Sequence, residues 1–190
     1  MTTTKKTTTT RKKSTTATKK PAVKKTAAKK PATPQKVPDL PTNPFAYEVF
    51  DAVSNMRSKA LKVEALQRYN DPSIRALLIW NFDPSVTSAL PDGAVPYKPN
   101  EVPEGTDHTS LRREWKNLYH FIKGGNDGLN GLRRESMFVQ MLEGLHPREA
   151  DLVCLVKDKR LSDKYKVTLE MVKEAYPDIV WGDRTYVNQS

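Results

Sequence analysis

Three histidines and one cysteine are the side chains in this 190-residue chain best suited to metal ligation, general-base work or nucleophilic attack. Their spacing supports none of these. His108, His120 and His146 share no metal-ligand interval, and Cys154 has no second cysteine with which to build a thiolate site. The glycine-rich run GGNDGLNG follows a helical pattern rather than a strand, so it reads as a turn between helices and not as a phosphate-cradling loop. Acidic residues are scattered along helical patterns, where solvated faces are the ordinary explanation. The expectation is therefore no catalytic residue, no metal and no cofactor.

The chemistry that remains is electrostatic. Near the N-terminus, KKPAVKKTAAKKPATPQK presents the pairs Lys19–Lys20, Lys24–Lys25 and Lys29–Lys30 at intervals of five residues, preceded by Lys12–Lys13. Lysines spaced by alanine, threonine and proline stay extended and present charge without collapsing on themselves, which suits neutralisation of phosphates. Residues 1–40 hold eleven lysines, Arg11 and the single acid Asp39, a net of +11, whereas residues 41–190 hold 20 basic and 21 acidic groups, a net of −1. The formal charge of +10 is thus a property of the tail, and the rest must bind through local patches if it binds at all.

Two such patches stand out. KDKRLSDKYK places Lys157, Lys159, Arg160, Lys164 and Lys166 in ten residues, between two helical patterns and ahead of a helix start at Thr168. Lys123, before Gly124 and Gly125, forms a second group with Arg133 and Arg134 at another helix start. Two arginines there oppose the helix dipole, which favours an anion nearby.

The elements that must position these groups read as helices. Residues 1–42 are too poor in large apolar side chains to fold and are read as a disordered basic tail. Residues 43–182 form the body and 183–190 a C-terminal tail. Asn43 with Pro44 suggests a first helix start, with Phe45, Val49, Val53 and Met56 on one face. A second helix follows with Leu61, Ala65 and Tyr69, then a third with Asp71 as cap, Pro72 at its first position and Ile74, Leu77, Leu78 and Phe82 inward. Residues 83–108 carry five prolines and two glycines and form a long loop, with Tyr97 and Lys98 as its contact or anchoring residues. The clearest helical period belongs to Leu111, Trp115, Leu118, Tyr119 and Ile122, stopped by Gly124 and Gly125. Later helices bury Phe138, Met141, Leu142 and Leu145, begin at Pro147 after the entry residue His146, and begin again at Thr168. The fold class expected is all-α, a compact bundle of about seven helices. The lone cysteine permits no internal disulfide and fits a reducing compartment. No apolar run approaches the roughly 20 residues of a membrane span, so no membrane association is expected.

The stretches LPDGAVPYKPNEVPEG, LRRESMFVQMLEGLHPREADLVCLVKDKRL and VKEAYPDI resemble a family of uncharacterised proteins from tailed phages of the T-even type. More distantly, SKALKVEALQRYNDPSIRALLIWNFDP, PDGAVPYKP, YHFIKGGNDGLN, LVKDKRL and VKEAYPDIV resemble, in order and spacing, the N-terminal helical DNA-binding domain of phage ATP-dependent DNA ligases. That resemblance implies a helical body that holds duplex backbone at helix starts and short turns, with Lys159, Arg160 and Leu161 at the basic turn and Val167 and Thr168 at the next helix start. The chain departs from the pattern in having no glycine in SDKYK, where Lys164 and Lys166 would substitute by charge, and in lacking the KxDG nucleotidyl-transfer motif, since KGGNDG has another spacing.

The functional expectation is a non-enzymatic phage DNA-binding protein that grips duplex DNA by its backbone with little sequence readout. It would sit on DNA in the cytoplasm of an infected host cell. The alternative is a protein-interaction module of the virion or replication complex, with phage proteins as partners and the tail only localising it.

Overall fold

The computed structural model describes residues 36–103, 106 and 108–182. The lysines of the N-terminal repeat, Lys12 to Lys30, and residues 183–190 lie outside the described residues. Among those described there are eight α-helices, one 3₁₀ segment and no strand, only two isolated bridges. The helices are α1 (Ala46–Asn55), α2 (Lys59–Arg68), α3 (Pro72–Phe82), α4 (Leu111–Glu114), α5 (Gly131–Gly144), α6 (Pro147–Lys157), α7 (Leu161–Lys164) and α8 (Leu169–Ala175). The body is thus an all-α bundle.

α3 is the centre of the packing. Every residue from Ala76 to Asn81 is buried, so it is apolar nearly all round, as a helix enclosed by others must be. It packs on α6, α4 and the 3₁₀ segment; α6 also meets α1 and α5, and α2 packs on both α1 and α8. Its start is set locally: Pro72 occupies the first turn and Asp71 accepts from the Ser73 N–H at 2.9 Å. α1 begins two residues later than Asn43–Pro44 suggests, with Phe45 as its cap. Two carboxylates explain the shift: Glu48 accepts from Phe45 N at 2.8 Å and Glu149 from Ala46 N at 2.9 Å. In α2 the buried face is Lys62, Val63, Ala65 and Leu66, leaving Leu61 and Tyr69 half-buried.

The body also begins earlier than residue 43. Val37 is buried, and the Tyr69 hydroxyl donates to Pro38 O at 2.7 Å and accepts from Leu40 N at 2.8 Å. Residues 37–42 therefore belong to the folded part and not to the tail.

The helix with the clearest period is divided. α4 ends at Glu114 and the chain tightens into the 3₁₀ segment Trp115–Phe121, with Leu118 and Phe121 buried at the three-residue repeat of that geometry. The cause lies in the loop. Ala89 N donates to Phe121 O at 2.8 Å and Lys123 N to Thr87 O at 2.9 Å, which draws Ile122 out of the helix into an antiparallel bridge with Ser88. Gly125 fits the turn that follows because a Cβ there would meet Tyr119 O at 2.1 Å.

The loop 83–103 contains no helix. It is a strap laid over α5 and α6. Val86 and Leu90 are buried, Tyr97 Oη donates to Asp151 at 3.2 Å, and Lys98 N donates to Glu143 at 3.1 Å. Tyr97 is therefore an anchor, and burial together with the Asp151 charge pushes its phenol well above the ordinary value.

Candidate nucleic-acid interface

The basic run 157–166 begins where α6 ends. The N–H of Arg160 returns to Leu155 O at 2.8 Å and that of Lys159 to Val156 O at 3.0 Å, which is the Schellman arrangement. Its left-handed position falls to Lys159 (φ 55°), where glycine is the usual occupant. Of the two lysines flanking Asp158, Lys157 turns inward and Lys159 stays exposed. Lys157 has a fully buried side chain, donates to Pro91 O at 2.7 Å and is ion-paired with Asp158. Its ammonium holds the strap, and it is withdrawn from any surface a phosphate could reach. Lys159 donates to Asp83 O at 2.8 Å; burial pulls its pKa below the ordinary lysine value, and the Asp83 carboxylate opposes this.

Arg160, Lys164 and Lys166 are exposed. Arg160 pairs with Asp163 at 2.8 Å, and Lys164 stands 4.0 Å from Asp151 and 5.6 Å over the Tyr165 ring. Lys166 offers its side chain but not its backbone. Its N–H donates to Ser54 Oγ at 3.0 Å and its carbonyl accepts from Lys62 Nζ at 2.7 Å. Close approach of a phosphate to this main chain is thus already occupied by the fold. The same contacts tie Lys166 to the end of α1 through Ser54 and to α2 through Lys62, while Lys59 at the start of α2 pairs with Glu174 at 2.9 Å. Ser54 and Lys62 are separated from Lys166 by more than a hundred residues, so no local pattern announces these contacts. Burial, with the Lys166 charge added, lowers the pKa of Lys62.

The second group divides in the same way. Arg134 donates from Nε to His120 O at 2.9 Å and from Nη2 to Asn126 O at 2.9 Å and Leu129 O at 3.0 Å. Its charge answers the dipole problem internally by clamping the turn between the 3₁₀ segment and α5. The turn is further tied by Asn126, whose side-chain amide meets His120 Nδ1 at 2.9 Å. Burial, then the Arg134 charge, lowers the His120 pKa. Arg133 is exposed beside Leu132, itself 77% exposed, and its N–H takes the Asn130 cap at 2.8 Å. Lys123 is exposed.

The fold brings the two groups together at one place. Lys123 and Lys159 line a common cleft of about 500 Å³ whose floor is the strap from Thr87 to Asp92, with Glu135 and Asp158 also on its walls. A neighbouring cleft of about 380 Å³ holds Arg160, Lys164, Asp151 and Cys154, and shares Asp158. Both linings mix charges, but the Asp158 carboxylate is paired with buried Lys157. Cys154 is half-buried, and burial pushes its thiol up to about 11, which favours the protonated form at neutral pH.

A family profile matches residues 49–163, from within α1 to within α7. The chain belongs to DUF6433, a family of unknown function. The DUF6433 match takes in the strap, the cleft and Lys123, Arg133, Arg134, Lys157, Lys159 and Arg160, while Lys164, Lys166 and the N-terminal lysines lie outside it. No curated protein and no solved structure matches the chain.

Proposed function

We propose that this DUF6433 chain is a non-enzymatic DNA-binding protein in which the N-terminal lysines neutralise backbone phosphates and the body adds a small basic surface. The division of charge carries the reading: +11 within residues 1–40 against −1 in the remainder. The body's share is the surface where Lys123 and Lys159 meet across one cleft, continued by Arg160 and Lys164, with Arg133 at the start of α5. Lys157 and Arg134 are excluded from that surface because their charges are spent on the strap and the turn. The phage setting and the ligase-like grip rest on the sequence resemblances.

The test is duplex binding by fluorescence anisotropy across a salt series, with the full chain and with residues 1–35 removed. Cutting there leaves Val37, Pro38 and Leu40, which the body needs. If about six tail lysines contact phosphate, the log–log salt slope becomes shallower by about 5 on truncation. Residual duplex affinity that drops in Lys123→Glu and Arg160→Glu locates the body's contribution. An unchanged slope rules out the tail as a DNA contact. A shortened protein with no affinity at low salt favours the second reading, a protein-interaction module, for which the near-neutral body speaks.

A further inference from the structure

We propose that the face formed by α4 and the 3₁₀ segment binds single-stranded DNA, with Tyr119 and His120 stacking its bases and Arg113 and Lys116 holding its phosphates. The proposal rests on the reading of this chain as a DNA-binding protein and adds a second surface to it. Residues 111–123 hold Arg112, Arg113, Lys116 and Lys123 against the single acid Glu114, a net of +3 in a body whose net is −1. Arg112 is taken up by Asp71 at 2.8 Å. Arg113 and Lys116 are exposed, and among the described residues neither side chain has an ion pair or a hydrogen bond. Glu114 is engaged by its neighbours, accepting from Thr109 Oγ1 at 3.0 Å and from Asn117 Nδ2 at 2.9 Å.

The 3₁₀ geometry sorts these side chains into rows. Residues three apart eclipse, so Leu118 and Phe121 go to the core while Lys116 and Tyr119 share an outer row, one turn past Arg113. The Tyr119 ring lies against the His120 ring, with centroids 3.9 Å apart and planes at 33°. Both are half-buried, and among the described residues the Tyr119 hydroxyl has no hydrogen-bond partner. Burial, then the Arg134 charge, lowers the His120 pKa, so at neutral pH its ring offers an uncharged π-face. The backbone beneath is fixed from two sides: Ala89 N donates to Phe121 O at 2.8 Å and Arg134 Nε to His120 O at 2.9 Å. A ligand therefore meets an ordered surface. Bases in a single strand can lay their π-faces on such rings, whereas a duplex keeps those faces covered by its own stacking. The neighbouring cleft differs in this respect, since it carries charge and no aromatic side chain in its lining. Lys123 follows the 3₁₀ segment directly and lines that cleft, so the two surfaces adjoin.

The test uses the full chain and a fluorescein-labelled oligodeoxythymidine of about 12 nucleotides, read by anisotropy at physiological salt beside a duplex and an oligouridine of the same length. The variants are Tyr119→Ala, Tyr119→Phe, and Arg113→Glu combined with Lys116→Glu, with melting temperatures to establish that each is folded. The tail is common to all of them, so differences between variants report the body. The expected result is that Tyr119→Ala weakens single-strand binding about fivefold or more and leaves duplex binding unchanged, while Tyr119→Phe, which keeps the ring, binds like the parent. The double charge reversal should weaken single-strand binding about tenfold or more. Single-strand affinity that survives both Tyr119→Ala and the charge reversal overturns the proposal. So does a Tyr119→Ala loss that is equal on single strand and duplex, a loss from charge reversal alone, or tighter binding of oligouridine than of oligodeoxythymidine. Any of these results leaves the duplex measurements and the tail's salt slope standing. Absent duplex binding with a retained, Tyr119-dependent grip on the single strand refutes the duplex reading alone and supports this one.

Discussion

Glu149 should be a costly carboxylate to replace. It sits in the first turn of α6, is 1% exposed, and divides its two oxygens between the starts of two other helices. Oε1 accepts from Ala46 N at 2.9 Å and Oε2 from Leu111 N at 3.0 Å. One side chain thereby ties the starts of α1, α4 and α6 together. Hydrogen bonds to a charged acceptor contribute about 1.5–3 kcal/mol each, and a buried donor left without its acceptor costs about 1–3 kcal/mol. Glu149→Gln preserves one acceptor but points an amide N–H₂ at one of the two N–H donors. The expected loss is about 2–3 kcal/mol, or a fall in Tm of about 5–10 °C. Glu149→Ala removes both acceptors and should cost about 3–5 kcal/mol. Urea titration of the two variants beside the parent chain measures this.

The pH dependence carries the sign. Burial raises the Glu149 pKa, against the pull of the Ala46 and Leu111 N–H groups and Arg112, while Glu48 adds to the rise. The native state then holds this proton more tightly than the unfolded state. The group's contribution to stability is greatest below its ordinary value and declines as pH rises through the raised one. The gap between parent and Glu149→Gln should accordingly widen as pH falls. A loss under about 0.5 kcal/mol refutes the capping role. A gap that narrows in acid shows that the helix starts, and not burial, control the carboxyl.

Arg134→Lys should cost about 1–3 kcal/mol in urea titration, because an ammonium cannot reproduce the planar fork to three carbonyls, whereas Arg133→Ala should stay within about 0.5 kcal/mol. Lys159→Gly should be close to neutral in stability, since release of the left-handed strain, about 1 kcal/mol, offsets loss of the bond to Asp83; Lys159→Ala keeps the strain, loses the bond, and should be the less stable of the two by chemical denaturation. The Cys154 thiol should resist alkylation at pH 8 in the native protein and react in 6 M urea, with native reactivity rising toward pH 11; rapid native labelling at pH 8 would contradict its burial.

Much of the fold was legible because its signals are local. The Asp71–Pro72 and His146–Pro147 pairs mark the starts of α3 and α6, and both side chains do cap, His146 Nδ1 accepting from Arg148 N at 3.2 Å. The period of residues 111–122 misled, because an i, i+4 pattern counts apolar residues and cannot see the strap that pairs with Ile122. The basic clusters misled in another way. A lysine reads the same in sequence whether its ammonium meets water, as in Lys164, or a carbonyl under a loop, as in Lys157.

By itself the sequence determined the helical class, several helix starts and the segregation of charge into the first forty residues, all properties of near neighbours or of composition. Only the tertiary structure decided which charges are available. Lys157 finds Pro91 across 66 residues and Glu149 reaches Ala46 across 103. A buried charge is tolerated only where a partner is already in place, and the distant partners here, Pro91 O, Ala46 N and Leu111 N, are main-chain atoms, which carry no side-chain signal for a sequence to display.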